Sequence, residues 1–207
     1  MKKIVLATLL GLAATTAFAA QGDILVRARA IHISPDVKTD KALSALKVDV
    51  DSQTVPELDF TYMITDNIGA ELILGTARHE VTSSLGSLGK VNHLPPTLTL
   101  QYHFAPEATI RPYVGAGINY TRFYNDDLDK VTPLSVDKNS WGYALQLGAD
   151  VAVNKDWFVN VDVKKLMIKT DVTSVNAVPA LGVTAGQNLG TLKINPWVFG
   201  VGVGTKF

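Results

Sequence analysis

The 207-residue sequence predicts an all-β fold, an eight-stranded antiparallel up-and-down β-barrel that spans an outer membrane. Three observations predict it. Apolar residues alternate with small or polar residues at period two in eight segments. Short turns and long polar stretches alternate between those segments, as in outer-membrane barrels. Beyond the N-terminal segment, no run approaches the roughly 18 apolar residues that a membrane-spanning helix needs.

The N-terminal segment has the features of a secretory signal peptide. Two lysines precede an apolar run at residues 4–12. Ala17 and Ala19 then supply small side chains at the positions that a signal peptidase requires. We therefore expect residues 1–19 to be removed and residues 20–207 to form the barrel domain.

The strands are predicted from alternation alone. At the C-terminus, Trp197, Phe199, Val201 and Val203 share one parity, and glycines occupy the other. A strand places successive side chains on opposite faces, so one face is bulky and apolar and the other is small. The eight predicted strands are residues 24–34, 57–64, 68–79, 97–104, 111–123, 142–153, 157–164 and 197–207.

The connections between the strands predict which end faces outward. Short turns are expected at residues 65–67, 105–109 and 154–156, and long loops at residues 35–54, 80–92, 124–139 and 171–190. Short periplasmic turns and long extracellular loops are typical of outer-membrane barrels. Closure into a barrel also satisfies the backbone hydrogen bonds inside lipid.

Aromatic residues support a membrane location. Five of them fall near the turn ends of their strands: Tyr62, Tyr102, Phe104, Trp157 and Phe207. Such residues form a girdle at a membrane interface. The alternative is a secreted soluble barrel of the lipocalin type, but polar residues would then have to face its packed core.

Composition excludes several classes of function. The 19 basic and 19 acidic residues balance, so no positively charged surface for nucleic acid is expected. Cysteine is absent, which excludes disulfides and thiolate catalysis. No metal site, cofactor or catalytic residue is predicted. His32 and Ser34 share a strand face, but no outward glutamate accompanies them as a lipid-hydrolysing site would require.

The same alternation predicts what fills the barrel. Eight strands enclose room for side chains or one small ligand, and no general aqueous pore. A polar floor is expected near the periplasmic end, formed by Arg27, Arg29, Glu71, His103, Arg111, Asp150, Asp162 and Lys164, with Gln101, Asn160 and Lys206 beside them. Charges of both signs should pair there. Glu57 and Asp59 are expected inward but high, with a pairing to Lys164.

Nearer the outside, the inward side chains are expected to be apolar. They are Ile31, Ile33, Ile73, Phe123, Leu166 and Ile168, with Ala77 and Ile194. An apolar upper lumen above a charged floor suits a hydrophobic solute. The alternative is that these side chains fill the lumen as a packed core.

Six segments resemble the outer membrane protein W family. They are DNIGAEL (66–72), HLPPTL (93–98), RPYVGAGINYT (111–121), SWG (140–142), DWFVN (156–160) and NPWVF (195–199). The resemblance implies an eight-stranded barrel of Gram-negative outer membranes that admits small hydrophobic molecules. It also implies that the terminal Phe207 is recognised by the barrel-assembly machinery.

The predicted function is passive binding or passage of small hydrophobic molecules. Because the floor is expected to be closed, the solute needs another exit, and proline gives no hydrogen bond to a strand ladder. Pro95 and Pro96 are therefore the candidate lateral gate into the membrane; the alternative is a bulge that only shapes the wall. The alternative function is a structural or adhesive barrel that acts as a surface receptor through its loops. The expected partners are outer-membrane lipid and the solute, and the oligomeric state is left open.

Overall fold

The computed structural model describes residues 19–84, 86–125, 127–128, 133–177, 179 and 183–207. In chain order, the elements of the described chain are β1 (Ile24–Ser34), β2 (Lys38–Thr39), α1 (Lys41–Ala45), β3 (Asp49–Val50), β4 (Gln53–Met63), β5 (Ile68–Gly75), β6 (Ala77–Ser83), β7 (Gly86–Leu94), β8 (Thr97–His103), β9 (Ile110–Tyr124), β10 (Leu134–Val136), β11 (Asn139–Ala152), β12 (Trp157–Leu166), β13 (Lys169–Ser174), β14 (Asn188–Lys193) and β15 (Trp197–Lys206). No helix in this described part has the length and hydropathy to cross a membrane.

Eight of the strands form a closed antiparallel barrel. Its order is β1, β4, β5, β8, β9, β11, β12 and β15. Closure comes from the antiparallel pairing of the first strand, β1, with the last, β15. The pairing of β9 with β11 completes the ring. The predicted all-β, eight-stranded, up-and-down barrel is confirmed.

The barrel is apolar outside and polar in the lower part of its interior. On β8, the outward Leu98 and Leu100 are 50% and 56% exposed, whereas the inward Thr99 and Gln101 are each 1% exposed. A soluble barrel would show the opposite arrangement, because apolar surface is costly to expose to water. The outer face of the barrel therefore matches lipid.

Aromatic residues form two belts on the outer face. The predicted lower belt of Tyr62, Tyr102, Phe104, Trp157 and Phe207 is exposed at the end with the short turns. An upper belt that the sequence analysis did not predict contains Trp141, Tyr143, Trp197 and Phe199. Aromatic girdles of this kind mark the two interfaces of a membrane.

Two of the predicted loops are in part β-hairpins. β6 (Ala77–Ser83) pairs with β7 (Gly86–Leu94) over most of the predicted 80–92 loop, and β13 (Lys169–Ser174) pairs with β14 (Asn188–Lys193) at the two ends of the predicted 171–190 loop. These hairpins prolong the barrel wall beyond the upper aromatic belt, because β7 also pairs with β9 and β10 with β13. Backbone hydrogen bonds to the neighbouring strands stabilise these hairpins. The polar side chains of the two segments did not alternate with apolar ones, so the sequence did not predict strands there.

The second barrel strand is longer than predicted. β4 begins at Gln53, whereas alternation predicted a start at Glu57. The added residues raise the upper end of this strand and place Glu57 and Asp59 in its middle. The signal peptide stays a prediction, since all of it except Ala19 lies outside the described residues.

Candidate functional site

Arg27 is the centre of a charged network that fills the lower lumen. Its Nε and NH2 donate to Oδ1 and Oδ2 of Asp150 at 3.1 and 2.8 Å. NH1 donates to the hydroxyl of Thr61 at 2.7 Å and lies 3.4 Å from both Asp59 and Glu71. The guanidinium therefore connects β1 with β4, β5 and β11 across the interior.

Arg29 and Lys164 extend the network upward. Arg29 donates to Glu57 Oε1 and to Glu71 Oε1, each at 3.1 Å. Lys164 Nζ donates to Glu57 Oε1 and to Asp162 Oδ1, each at 2.7 Å. A buried charge is tolerated when it is paired and hydrogen-bonded in this way.

Neutral polar groups complete the network. Gln101 Nε2 donates to Glu71 Oε2 at 2.8 Å, and Gln101 Oε1 accepts from the ring Nε2 of His103 at 3.1 Å. The hydroxyl of Tyr113 donates to Asp162 Oδ2 at 3.0 Å. Sequence analysis did not single out Tyr113, although it shares its parity on β9 with Arg111.

All eight predicted floor residues lie inside the barrel, each at most 3% exposed. Arg111 is buried against the ring of Phe158, with its guanidinium carbon 5.8 Å from the ring centroid. Because water does not reach these eight side chains, no water-filled passage runs between them. The network thus fills the cross-section of the lower lumen.

The predicted height of Glu57 and Asp59 was wrong. In the β1–β4 register Asp59 pairs with Arg27 and Glu57 pairs with Arg29, so both acids belong to the floor. The early start of β4 is the reason. Glu57 does contact Lys164 as predicted, whereas Asp59 lies beside the two arginines.

An apolar chamber lies at the top of the lumen. It is a cavity of about 30 Å³, and its lining includes Ile33, Phe123, Ile168, His79 and His93. The rings of His79 and His93 stack with centroids 4.9 Å apart. Burial and the neighbouring His79 lower the pKa of His93, in β7 above the membrane-spanning strands, to about 3, so its ring is neutral at physiological pH.

A second chamber lies between the first and the charged floor. It is also a cavity of about 30 Å³, and its lining includes Ile31, Ile33, Ile73 and Leu166 above Glu57 and Lys164. Ile33, His93 and Pro196 line both chambers. The six apolar side chains that the sequence predicts for the upper lumen therefore all face one or both chambers.

The barrel wall is interrupted beside the lower chamber. The β5–β8 ladder ends at Ile73 and Thr97, and the β6–β7 ladder starts at Ala77 and His93. Residues 74–76 thus face residues 94–96 without ladder pairing. Among the described residues, no backbone hydrogen bond joins Thr76 to Pro95 or Pro96, and Pro96 bonds only on its other side, to Tyr120. We call this interruption the proline seam.

A second interruption, between β12–β13 and β14–β15, is bridged. Leu166 donates its backbone N–H to Pro196 at 3.1 Å, and Ile194 donates to Ile168 at 2.9 Å. The amide oxygen of Asn195 accepts from the N–H of Ile168 at 3.0 Å. The proline seam differs from this second interruption in having no backbone bond across it among the described residues; it is crossed by a side-chain bond, in which the hydroxyl of Thr76 donates to the carbonyl oxygen of His93 at 3.1 Å.

His32 is rejected on the sequence as part of a lipid-hydrolysing site. His32 faces outward and its Nδ1 contacts the hydroxyl of Thr54 at 3.0 Å. In the described part of the chain, no three histidine, cysteine or acidic side chains are arranged to hold a metal ion.

Comparison with known proteins identifies the family. The model of the OmpW family matches residues 20–207, the whole predicted barrel domain. The chain belongs to the OmpW family. Its members are outer-membrane barrels of Gram-negative bacteria and are not enzymes, so this chain is an outer-membrane protein without a catalytic site.

Full-length and partial relatives support the assignment. The chain is 38% identical to outer membrane protein W of Escherichia coli over 223 residues, covering 100% of both chains. It is 46% identical to the outer-membrane protein y4mB of Sinorhizobium fredii over 157 residues, which cover 74% of this chain and 66% of that one. The dibenzothiophene metabolism operon protein PahQ of Pseudomonas aeruginosa is 36% identical over 120 residues, 56% of each chain.

A solved structure shows the same architecture. The crystal structure of the outer membrane protein OprG from Pseudomonas aeruginosa superposes with a TM-score of 0.80 at 33% identity, covering 91% of this chain and 97% of that chain. The OmpW-family barrel seen here is therefore the fold of a known outer-membrane protein.

Proposed function

We propose that this OmpW-family barrel passes small hydrophobic molecules from outside into the outer membrane. The solute enters the upper chamber, moves to the lower chamber and leaves sideways through the proline seam. The single observation that carries the proposal is the position of the lower chamber, which touches both the charged floor and the seam.

The charged floor supports a sideways exit. A solute that continued downward would have to separate paired, inaccessible charges, which costs several kcal/mol for each ion pair. The chambers instead offer apolar walls that replace water at roughly 25 cal/mol per Å² of apolar solute surface. The concentration gradient is the only driving force that the proposal requires.

The seam lies at the level of the upper aromatic belt, because Pro96 bonds to Tyr120, which pairs with Trp141, and it borders the lipid-facing wall. Gly75, Thr76 and Pro95 line the lower chamber, so the chamber reaches the unpaired part of the wall. Leu72, Leu94 and Leu98 are exposed on the outer face nearby. Separating two paired strands normally breaks the hydrogen bonds between them. Proline has no N–H to donate, so fewer bonds have to break at the seam.

The name of one relative agrees with an apolar solute. PahQ is named for an operon of dibenzothiophene metabolism, and dibenzothiophene is a hydrophobic aromatic compound. We extend to this chain only the chemical class, a small and largely apolar molecule.

Ile73→Phe tests the proposal with a matched control on the same strand. The inward side chain at position 73 lines the lower chamber, whereas Leu72 faces lipid. With the larger ring at position 73, a solute in the lower chamber would overpack it, at a cost of about 1–3 kcal/mol. Uptake of a hydrophobic aromatic probe by cells that carry Ile73→Phe should therefore fall roughly tenfold. Leu72→Phe should leave uptake unchanged.

The adhesive alternative predicts the reverse. Shortening the β13–β14 hairpin would abolish attachment to a host cell or phage while both phenylalanine variants behaved as wild type. Equal uptake by Ile73→Phe and Leu72→Phe, with assembly of both confirmed, contradicts transport through the lower chamber.

A further inference from the structure

Three lysines stand side by side on the outer face of the extracellular sheet. In the strand registers Lys169 pairs with Lys193 across β13 and β14, and Lys193 pairs with Lys38 across β14 and β2. Directly paired residues in antiparallel strands point to the same face, with Cβ atoms about 5 Å apart. All three side chains are exposed. We call them the lysine row.

The row has no counterion in the part of the chain that the structure describes. Within the described residues, no carboxylate oxygen lies within the 4.0 Å limit of an ion pair with Lys38, Lys169 or Lys193. Two acids lie near the row: Asp36 pairs with Lys165 at 3.2 Å, and Asp171 keeps its charge while it accepts from the hydroxyl of Thr191 at 2.6 Å.

An unpaired row of like charges is destabilising by itself. Like charges placed directly opposite on neighbouring strands repel each other. The repulsion is relieved when an anion with several charges contacts all three ammonium groups. The arrangement is thus suited to a ligand that carries phosphate groups rather than one carboxylate.

The row lies at the level of the membrane surface. The backbone N–H of Lys169 lies 3.3 Å from the hydroxyl of Ser140, the residue before the exposed Trp141 of the upper belt. On the next strands Lys165 Nζ lies 4.9 Å from the ring centroid of Trp197 in the same belt. Lysine side chains extend along such a surface and present their ammonium groups to lipid headgroups.

We propose that the lysine row binds the phosphate groups of a phosphorylated lipid in the outer leaflet. The charge of the row and its height at the aromatic belt together point to a headgroup as the occupant. This inference is independent of the lumen and of any solute. Each lysine near a charged membrane surface contributes about fivefold to binding, and three contribute on the order of 100-fold.

The test compares two triple variants of the full barrel reconstituted in phosphatidylcholine vesicles. One variant is Lys38→Gln, Lys169→Gln and Lys193→Gln. The control is Lys47→Gln, Lys90→Gln and Lys155→Gln, which removes the same charge from exposed positions away from the row. The measured quantities are retention of diphosphoryl lipid A during purification from the vesicles, and the urea midpoint of unfolding with and without this lipid.

Wild type and the control variant should retain the lipid and be stabilised by it. The lysine-row variant should lose retention on the order of 100-fold, while unfolding in phosphatidylcholine alone at the same or a higher urea concentration because repulsion is removed. Equal retention by the two variants overturns the proposal. Equal retention of dephosphorylated lipid A by wild type also overturns it, because acyl chains would then account for the binding.

Discussion

Arg27 and Asp150 form a two-bond ion pair across the lumen, although 123 residues separate them in the chain. Arg27 is fully buried and Asp150 is 2% exposed. β1 and β11 lie three strands apart in the barrel, so the pair links parts of the wall that are not neighbours. The charged floor therefore contributes to barrel closure as well as to blocking the lumen.

Asp150→Asn is expected to destabilise the barrel strongly. It leaves the guanidinium of Arg27 without its bidentate partner, and breaking a buried pair costs about 3–5 kcal/mol. Asp36→Asn removes the exposed partner of Lys165 and should cost less than about 1 kcal/mol. Urea unfolding in vesicles measures both, and equal midpoints would show that the floor makes no special contribution to stability.

Pro95→Val combined with Pro96→Val is expected to slow hydrophobic-solute uptake. The new N–H of residue 95 is able to extend the ladder across the proline seam, whereas that of residue 96 points to the other side, where its carbonyl already accepts from Tyr120. One added bond of about 1 kcal/mol should lower uptake roughly fivefold. Pro196→Val, in the bridged interruption, is the control and should have a smaller effect. Unchanged uptake of the same aromatic probe in the double variant would show that the proline seam is not a lateral gate.

Phe207→Ala is expected to impair assembly without impairing stability. The side chain is 76% exposed, so little packing is lost, and the bonds between the backbones of Phe207 and Ile24 remain. If the assembly machinery recognises this aromatic residue, the folded fraction in cells falls while refolding from urea into detergent proceeds as in wild type. Trp157→Ala, in the same belt, should assemble normally. A defect in refolding as well would assign Phe207 a structural role only.

Export should depend on the small residues before position 20. Ala17→Leu combined with Ala19→Leu should leave the precursor uncleaved, because a signal peptidase accepts small side chains there. Mass spectrometry of the wild-type protein should find Ala20 as the first residue. A different N-terminal residue would show that the cleavage site was misplaced.

The inward and outward faces of the barrel followed from the sequence because strand alternation is local. Thr99 and Gln101 could be assigned to the interior without knowledge of any other strand, since successive side chains must face opposite ways. The lower aromatic belt followed in the same manner from Tyr102 and Phe104, which precede a short turn.

Height and pairing inside the barrel were decided only by tertiary structure. The level of Glu57 and Asp59 depends on how far β4 extends above them, and polar residues at Gln53 and Thr54 gave no signal of a strand. The contact between Arg27 and Asp150 depends on the tilt and register with which eight strands close, a property of the whole ring and of no single segment.

The proline seam combines both kinds of information. Two adjacent prolines could be recognised in the sequence as residues unable to donate to a ladder. Only the assembled barrel shows that Gly75 and Thr76 stand opposite them and that a chamber lies behind. The direction of a side chain is set by its neighbours in the strand. The chamber behind the proline seam is formed by residues far apart in the chain, so only the folded barrel shows it.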